Sequence, residues 1–249
     1  MAVEADVEKL AKAQSDASTN FFGADIQNPP TQLFEVAEKI RTEKLFKVEP
    51  IYLPQRSFPE GTTYPGQKVP MSPNLYRYIK EKWVDKDANS LPGQWVLMDV
   101  TKRPNYKDGK QMYPDTPRFK SILAGLREQH QIEVPDWCKH IPTESRFGVS
   151  PDEIDGRFSH VSKEVAKVLS IEPETVTTPS YAAFYYVGNL SHPEFGTADT
   201  SEWFRNSFGA GRRPGGGRSL FGGLSGVGDW GSADRNGGIG FRFQFSFPQ

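Results

Sequence analysis

Cysteine and histidine are the side chains most suited to covalent or metal chemistry, and in this chain they are few and scattered. Cys138 is the only cysteine, and His140 follows it at a spacing that does not by itself define a nucleophile and its base. A single cysteine also excludes an internal disulfide and any CxxC zinc or redox motif. His192, Glu194 and Asp199 can be combined into a metal site, but nothing in their spacing requires one. The sequence therefore predicts no catalytic residue, no metal and no cofactor.

The glycine-rich stretch from Gly209 to Gly217, GAGRRPGGG, offers two further kinds of chemistry. It has no lysine and follows no clear strand-to-helix pattern, so it does not fit a phosphate-binding loop. Arginines and Phe221 among glycines are also typical of RGG-type tails, which bind RNA through cations and stacked aromatic rings. Because Asp229 and Asp234 dilute the positive charge, we expect no nucleic-acid partner.

The composition favours a globular protein over a disordered or membrane-inserted one. The chain has 249 residues with 36% hydrophobic and 12% aromatic content, so it can supply a core and is expected to be globular. A formal net charge of −1 creates no overall attraction to nucleic acid or to an anionic membrane. Its apolar runs are short and its first residues are acidic and polar, so we expect no membrane insertion and no signal peptide. This predicts a cytoplasmic or virion-associated protein.

Local patterns predict a mixed α+β fold, with helices first and a β-rich, glycine-rich C-terminal third. Strands are expected at 45–54, with Pro50 marking an edge or a bulge, at 94–100 as a central strand, and at 180–190. Helix starts are predicted at Thr31, Ser72-Pro73, Thr116-Pro117 and the capping box Ser150-Pro151-Asp152-Glu153.

The end of the chain contrasts with the long glycine-rich excursion before it. Phe241, Phe243, Phe245 and Phe247 alternate with polar residues, and this period of two predicts a half-buried strand. Burial of such rings contributes roughly 1.5–3 kcal/mol for each fully buried phenylalanine. We therefore expect the excursion to be irregular and the terminal strand to anchor it in the core.

A set of short motifs in residues 180–249 resembles a known fold branch. In order they are SEWF (Ser201–Phe204), three glycines followed by Arg218, then Trp230, and the closing Gly240-Phe241-Arg242. The set is similar to the C-terminal half of C-type-lectin-like proteins, in the branch of formylglycine-generating enzymes and of the variable proteins of diversity-generating retroelements. Before residue 180 only the order of elements agrees with that branch.

The resemblance implies an architecture. It predicts an N-terminal arm (1–30) and one C-type-lectin-like domain (31–249), with a variable ligand-binding segment at about 212–241. In this branch a long irregular stretch is held between two short sheets, and the terminal strand lies in the same sheet as a strand near the domain's start. That strand corresponds here to 45–53. A fixed frame under a long loop permits surface substitutions, since loops tolerate changes that cores do not.

The resemblance also implies a function, which is ligand binding or display rather than catalysis. In retroelement variable proteins a reverse transcriptase miscopies adenines, so that asparagine codons of a template become many residue types. The partner would be a protein or a cell-surface ligand, and the oligomeric state stays open. Two alternatives remain: a fixed-specificity receptor- or sugar-binding module of the same fold, and a formylglycine-generating-type oxidase, whose cysteine chemistry has no match here. The expected ligand-binding residues are Pro214, Arg218, Leu220, Phe221, Asp229, Trp230, Ser232, Asp234 and Asn236.

Overall fold

A computed structural model describes residues 9, 11–13, 15–16, 19, 28–64, 67–209 and 211–247. The expected N-terminal arm (1–30) lies largely outside this part of the chain. In the described ranges, no helix is both long and apolar enough to cross a membrane. The helices are α1 (Thr31–Thr42), α2 (Pro73–Lys80), α3 (Pro117–Glu128), α4 (Pro151–Ile154), α5 (His160–Leu169) and α6 (Tyr181–Leu190). The strands are β1 (Val48–Ser57), β2 (Ser90–Asp99), β3 (Val176–Thr177), β4 (Ser201–Trp203), β5 (Arg212–Gly216), β6 (Val227–Gly231), β7 (Ile239–Gly240) and β8 (Gln244–Ser246).

The mixed α+β class is confirmed, and the strands of the described residues form two four-stranded sheets. The first sheet has the order β1-β2-β8-β3, so the early strand β1 and the terminal strand β8 share a sheet, as expected. β1 is its edge strand and carries Pro50, while β2 is central between β1 and β8. The second sheet has the order β6-β5-β4-β7, in which β4 and β7 run parallel.

Most helix starts follow the sequence prediction. α2, α3 and α4 begin with proline directly after Ser72, Thr116 and Ser150. The expected capping box is formed, since Ser150 N donates to Glu153 Oε2 at 2.9 Å. α1 begins at Thr31, but Pro30 occupies its N-cap position.

The prediction of a strand at 180–190 is wrong, because Tyr181–Leu190 is helix α6. Every residue from Tyr181 to Asn189 is buried, so the segment lacks the polar face that would reveal a helical period in the sequence. Ser180 caps the helix by accepting a hydrogen bond from Ala183 N at 3.1 Å. Its tyrosines find partners inside the protein, and Tyr181 Oη donates to Leu224 O at 3.1 Å.

The phenylalanines at the end of the chain are buried, as expected, but the strand is not half-exposed. Arg242 and Gln244, expected on its polar face, are also fully buried. The regular pairing is short: β7 ends at Gly240 in the second sheet, and β8 begins at Gln244 in the first. The residues between them therefore connect the two sheets. Part of the glycine-rich stretch that was expected to be irregular is likewise regular, since it forms β5 and β6.

Candidate ligand-binding surface

The expected variable segment is built around an antiparallel hairpin of β5 and β6. Pro214 pairs with Asp229 and Gly216 with Val227. The chain crosses between the strands through two short 3-10 turns, Ser219–Phe221 and Gly223–Ser225. We call residues 217–226 the hairpin tip.

Glycine is required where the hairpin meets the core. Gly217 has a φ of +82°, and a Cβ there would lie 2.6 Å from the ring of Phe184. A Cβ on Gly216 would lie 2.0 Å from the carbonyl oxygen of Gly226. The run of glycines therefore lets the two strands approach each other and lets the tip sit close on α6.

The hairpin tip carries two adjacent, strongly exposed large apolar side chains. Leu220 is 71% exposed and Phe221 is 68% exposed. The guanidinium of Arg218 lies over the Phe221 ring, with its Cζ 4.9 Å from the ring centroid. Its Nε is buried and has no hydrogen-bond partner in the part of the chain that the structure describes. The tip thus presents two apolar groups and a cation with unused donor capacity.

Two concave regions flank Arg218. A groove of about 400 Å³ is lined by Arg218, Phe221, Val227 and Trp230 together with Asn74 at the start of α2. A smaller cleft of about 300 Å³ lies on the other side of Arg218. It is lined by Tyr106, His140, Asp199, Arg218, Asn236 and the backbone of Gly237 and Gly238.

A buried ion-pair network holds the base of the hairpin. Glu202, on β4, accepts hydrogen bonds from Arg242 at 2.7 and 2.8 Å and from the hydroxyl of Tyr113 at 2.6 Å. Burial acts to raise the pKa of Glu202, but the charges of Arg242 and Arg103 outweigh it and hold that pKa below its usual range. The carboxylate therefore stays charged inside the core.

Arg103 connects this network to the tip. Its Nη1 lies 3.6 Å from Glu202 Oε2, and its Nη2 donates to the carbonyl oxygen of Gly217 at 2.6 Å. Burial lowers the pKa of Arg103, and the charge of Glu202 opposes that effect. The first residue of the tip is thus fixed by a charged hydrogen bond rooted in the core.

A second buried cation, Arg146, holds the segment between the two sheets. It forms an ion pair with Asp99, its Nε donates to Asp115 Oδ2 at 2.9 Å, and its Nη1 donates to Phe241 O at 3.1 Å. Burial opposes protonation, yet the charges of Asp115 and Asp99 prevail and raise the pKa of Arg146. The sequence analysis missed both networks, because the paired residues are far apart in the chain and no motif reports their pairing.

The structure brings some of the expected binding residues together and separates others. Arg218, Phe221 and Trp230 line the groove, Leu220 projects beside them at the tip, and Asn236 lines the cleft. Trp230 also packs edge-to-face on the buried Trp203, with ring centroids 5.8 Å apart, so it belongs to both scaffold and surface.

The remaining four residues have local structural contacts. Pro214, expected to be exposed, is buried, and its carbonyl accepts from Phe204 N at 2.9 Å. Asp229 pairs with Arg212 at 2.5 Å across the hairpin. Two others lie at the far end of β6: Ser232 Oγ donates to Asp152 at 3.2 Å, and Asp234 accepts from Gly231 N at 2.8 Å.

Three residues of the cleft were not among the ligand-binding residues expected from the sequence. Tyr106 is 47% exposed, and its backbone N–H donates to the Asp199 carboxylate that lines the same cleft. His140 is exposed on the opposite wall. No local signal identifies them, since the loops that carry them meet only in the fold.

The residues first considered for chemistry do not converge. Cys138 is buried with Tyr113, Ile141 and Phe147, and burial raises the pKa of its thiol, which disfavours the thiolate nucleophile. His192 binds Glu49 and Glu194 rather than Asp199. The described residues contain no group of three or more His, Cys, Asp or Glu side chains able to hold a metal ion.

Comparisons with protein-family models, with curated proteins and with solved structures find no match in any of the three.

Proposed function

We propose that this chain is a ligand-binding or display protein whose binding surface is the hairpin tip with the groove and the cleft beside it. This proposal rests on the difference in burial between the tip and the base of one hairpin. Leu220 and Phe221 are more than two-thirds exposed at the tip, at 71% and 68%, while the hairpin base is bonded to buried charges. Exposed apolar side chains that lie together on a fixed frame are typical of interaction sites.

The partner in this proposal is a protein or a cell-surface molecule. Arg218, Phe221 and Trp230, with Tyr106 across the cleft, supply the arginine and aromatic side chains that contribute most to protein interfaces. Arg218 lines both the groove and the cleft, and its guanidinium lies over the Phe221 ring. A carbonyl or carboxylate that binds in either one would accept from the terminal nitrogens of Arg218, since its Nε is buried.

The proposal extends to the C-type-lectin-like fold and to diversification by a retroelement. Support for the fold comes from the motif order and from the shared sheet of β1 and β8. Support for diversification comes from the placement of residues: the tip holds exposed side chains, whereas glycines and Trp203 form the frame. Adenine-directed copying alters asparagine codons and leaves codons for glycine, tryptophan and phenylalanine largely intact, so it would change a surface and preserve this frame.

Sequencing a few kilobases of DNA around the gene tests this function. We expect a near-identical copy of the region encoding 212–241, a neighbouring reverse-transcriptase gene, and differences between the copies only where the second copy has adenine. The altered codons should include the exposed Leu220 and the half-buried Arg218 and should spare Gly216 and Gly217. If neither the copy nor the reverse transcriptase is present, retroelement diversification is wrong, and a fixed-specificity binding module becomes the better account.

A further inference from the structure

A third cavity, of about 720 Å³, lies apart from the hairpin tip. Its walls come from the ends of β1 and β2, the loop at 85–88 and the residues just before α6 and after β4. It shares no lining residue with the groove or the cleft. A cavity of this volume is in the range that accommodates a small organic molecule.

Arg205 lines this cavity with a guanidinium that has no hydrogen bond or ion pair to any residue that the structure describes. Its backbone is fixed, since Arg205 N donates to Pro179 O at 3.0 Å and its carbonyl accepts from Arg213. Its side chain is half-buried, and burial lowers the pKa of Arg205, an effect that Asp155 opposes. A half-buried cation in this position gains stability from an anion that reaches it.

The nearby carboxylate is already committed to other partners. Asp155 forms an ion pair with Arg213, and it accepts from Thr178 N at 2.6 Å and from Thr178 Oγ1 at 2.7 Å. Arg213 therefore occupies this carboxylate, and the positive charge of Arg205 has no ion-pair partner among the described residues at the wall of the cavity.

Further charges line the same cavity. Arg56 and Lys86 add two exposed cations, and Asp85 and Asp87 add two exposed carboxylates. Among the described residues none of these four forms an ion pair within 4.0 Å, so the lining carries three cations against two acids.

The start of α6 does not supply the binding groups. Two of its first three amides are already occupied, because Tyr181 N donates to Asn206 Oδ1 at 2.7 Å and Ala183 N donates to Ser180 Oγ at 3.1 Å. Among the described residues, Arg205, Arg56, Lys86 and the hydroxyl of Ser57 line the cavity without a hydrogen-bond or ion-pair partner for their side chains, whereas Ser90 Oγ donates to Asn89 Oδ1 at 3.4 Å. Arg205 is half-buried, whereas Arg56 and Lys86 are exposed, so the Arg205 guanidinium is the donor that gains most from an anion.

We propose that this cavity binds a small molecule that carries a phosphate group, with the Arg205 guanidinium as its principal donor. A guanidinium presents parallel N–H groups that match two phosphate oxygens, and such charge-assisted bonds are stronger than neutral ones. Arg56 and Lys86 are opposed by Asp85 and Asp87, so the lining keeps one net positive charge, which attracts an anion to Arg205. The volume leaves room for the organic part of the ligand beside the β1 and β2 ends. This site does not depend on the function proposed for the hairpin tip.

Calorimetric titration of the full chain at low salt with inorganic phosphate, adenosine monophosphate and adenosine tests the proposal. We expect phosphate and the monophosphate to bind and adenosine not to bind. Arg205→Gln should weaken monophosphate binding about tenfold or more, since a hydrogen bond to a charged group is worth roughly 1.5–3 kcal/mol. Arg157→Gln removes the same charge from an exposed site outside the cavity, and it should leave affinity unchanged.

Melting curves of both variants show whether each one is folded before it is titrated. If Arg205→Gln does not fold, Arg205→Lys can be used instead. It keeps the charge but lacks the parallel N–H groups of the guanidinium, and it should still weaken binding. Two results would overturn the proposal. One is the absence of a heat of binding for phosphate or monophosphate up to about 10 mM ligand. Titration to that concentration detects binding with a free energy of about −4 kcal/mol. The other is equal weakening by the Arg205 and Arg157 substitutions, which would indicate only a general charge effect.

Discussion

At the scale of single residues, His192 is the side chain whose charge should report on the fold. Its ring nitrogens lie 3.1 Å from Glu49 Oε2 on β1 and 2.8 Å from Glu194 Oε1. Burial opposes protonation, but hydrogen bonds to Glu49 and Glu194 outweigh it and raise the pKa of His192. The hydrogen bond from His192, assisted by Lys47, lowers the pKa of Glu49 to about 2.

These shifts predict how stability depends on pH. A histidine whose pKa is raised by folding stabilises the protein below its ordinary pKa, and that stabilisation is lost as the pH rises through the folded-state value. A carboxyl group whose pKa is lowered stabilises above its ordinary pKa and loses this contribution as the pH falls toward 2. The Glu49–His192 pair should therefore stabilise most between pH 4.5 and 6.5, the ordinary values of the two groups.

His192→Gln, which cannot be protonated, should remove the alkaline part of this dependence. We expect the Tm of the unmodified chain to fall between pH 6 and pH 8.5 relative to the Tm of the variant, measured in parallel thermal melts. His140→Gln is the matched control, since His140 is exposed and has no such carboxylate pair. Parallel Tm curves for the unmodified chain and His192→Gln would show that folding does not shift the pKa of His192.

The sequence could not reveal these residue-scale pairings. Glu49 and His192, or Glu202 and Arg242, are brought together only when the sheets form, and charged residues in a sequence are usually assigned to the surface. Pro214 illustrates the converse error. It stands among glycines in an apparent loop, yet strand pairing buries it.

At the scale of elements, the terminal segment is the best test of the anchoring argument. Phe243 is fully buried, and its ring centroid lies 5.6 Å from Phe46 and 6.0 Å from Phe119. Phe243→Ala should destabilise the protein by about 3–5 kcal/mol, because it leaves a cavity among aromatic rings. Urea unfolding measures the change, and Phe158→Ala, at a ring that is 42% exposed, serves as the control. A loss below about 1 kcal/mol would show that Phe243 does not anchor the segment.

Element types were predictable where one face of a segment is polar or where a proline marks its start. The Ser-Pro and Thr-Pro pairs located α2, α3 and α4, and the apolar run of β2 indicated a central strand. α6 was mistaken for a strand because it is apolar all round, and periodicity then carries no information. The hairpin was missed because β5 (RRPGG) has none of the branched or aromatic residues that indicate strands, and β6 has only Val227 and Trp230 among its glycines.

At the scale of the whole molecule, buried charges connect the two sheets. Glu202 on β4 binds Arg242, which follows β7, and Arg242 Nη1 donates to Asp99 O at the end of β2 at 2.7 Å. Arg103 extends the same network to the first residue of the hairpin tip. Within the tip, Leu224 is buried in the core and the Ser225 hydroxyl donates to Pro70 O, whereas the exposed Leu220 and Phe221 take no part in this network. Their side chains are therefore not needed to hold the tip in position.

This separation predicts opposite outcomes for two variants. Replacing the exposed pair at the tip, Leu220→Ser with Phe221→Ser, should leave the Tm within a few degrees, since surface changes usually alter stability by about 0.5 kcal/mol or less. Glu202→Gln keeps the shape of the side chain but leaves Arg242 and Arg103 without their counter-charge. It should cost about 3–5 kcal/mol, the usual penalty for breaking a buried ion pair from one side.

Thermal and urea unfolding of the two variants, beside the unmodified chain, give the comparison directly. Unfolding of the Leu220/Phe221 variant would mean that the tip contributes to the core and could not be diversified without loss of the fold. Near-neutral behaviour of Glu202→Gln would mean that the network does not fix the hairpin base. We expect the protein to tolerate substitutions at the tip and to be destabilised by substitutions in the network. This pattern is required if the side chains of a binding surface are to vary between copies of the gene while the backbone stays the same.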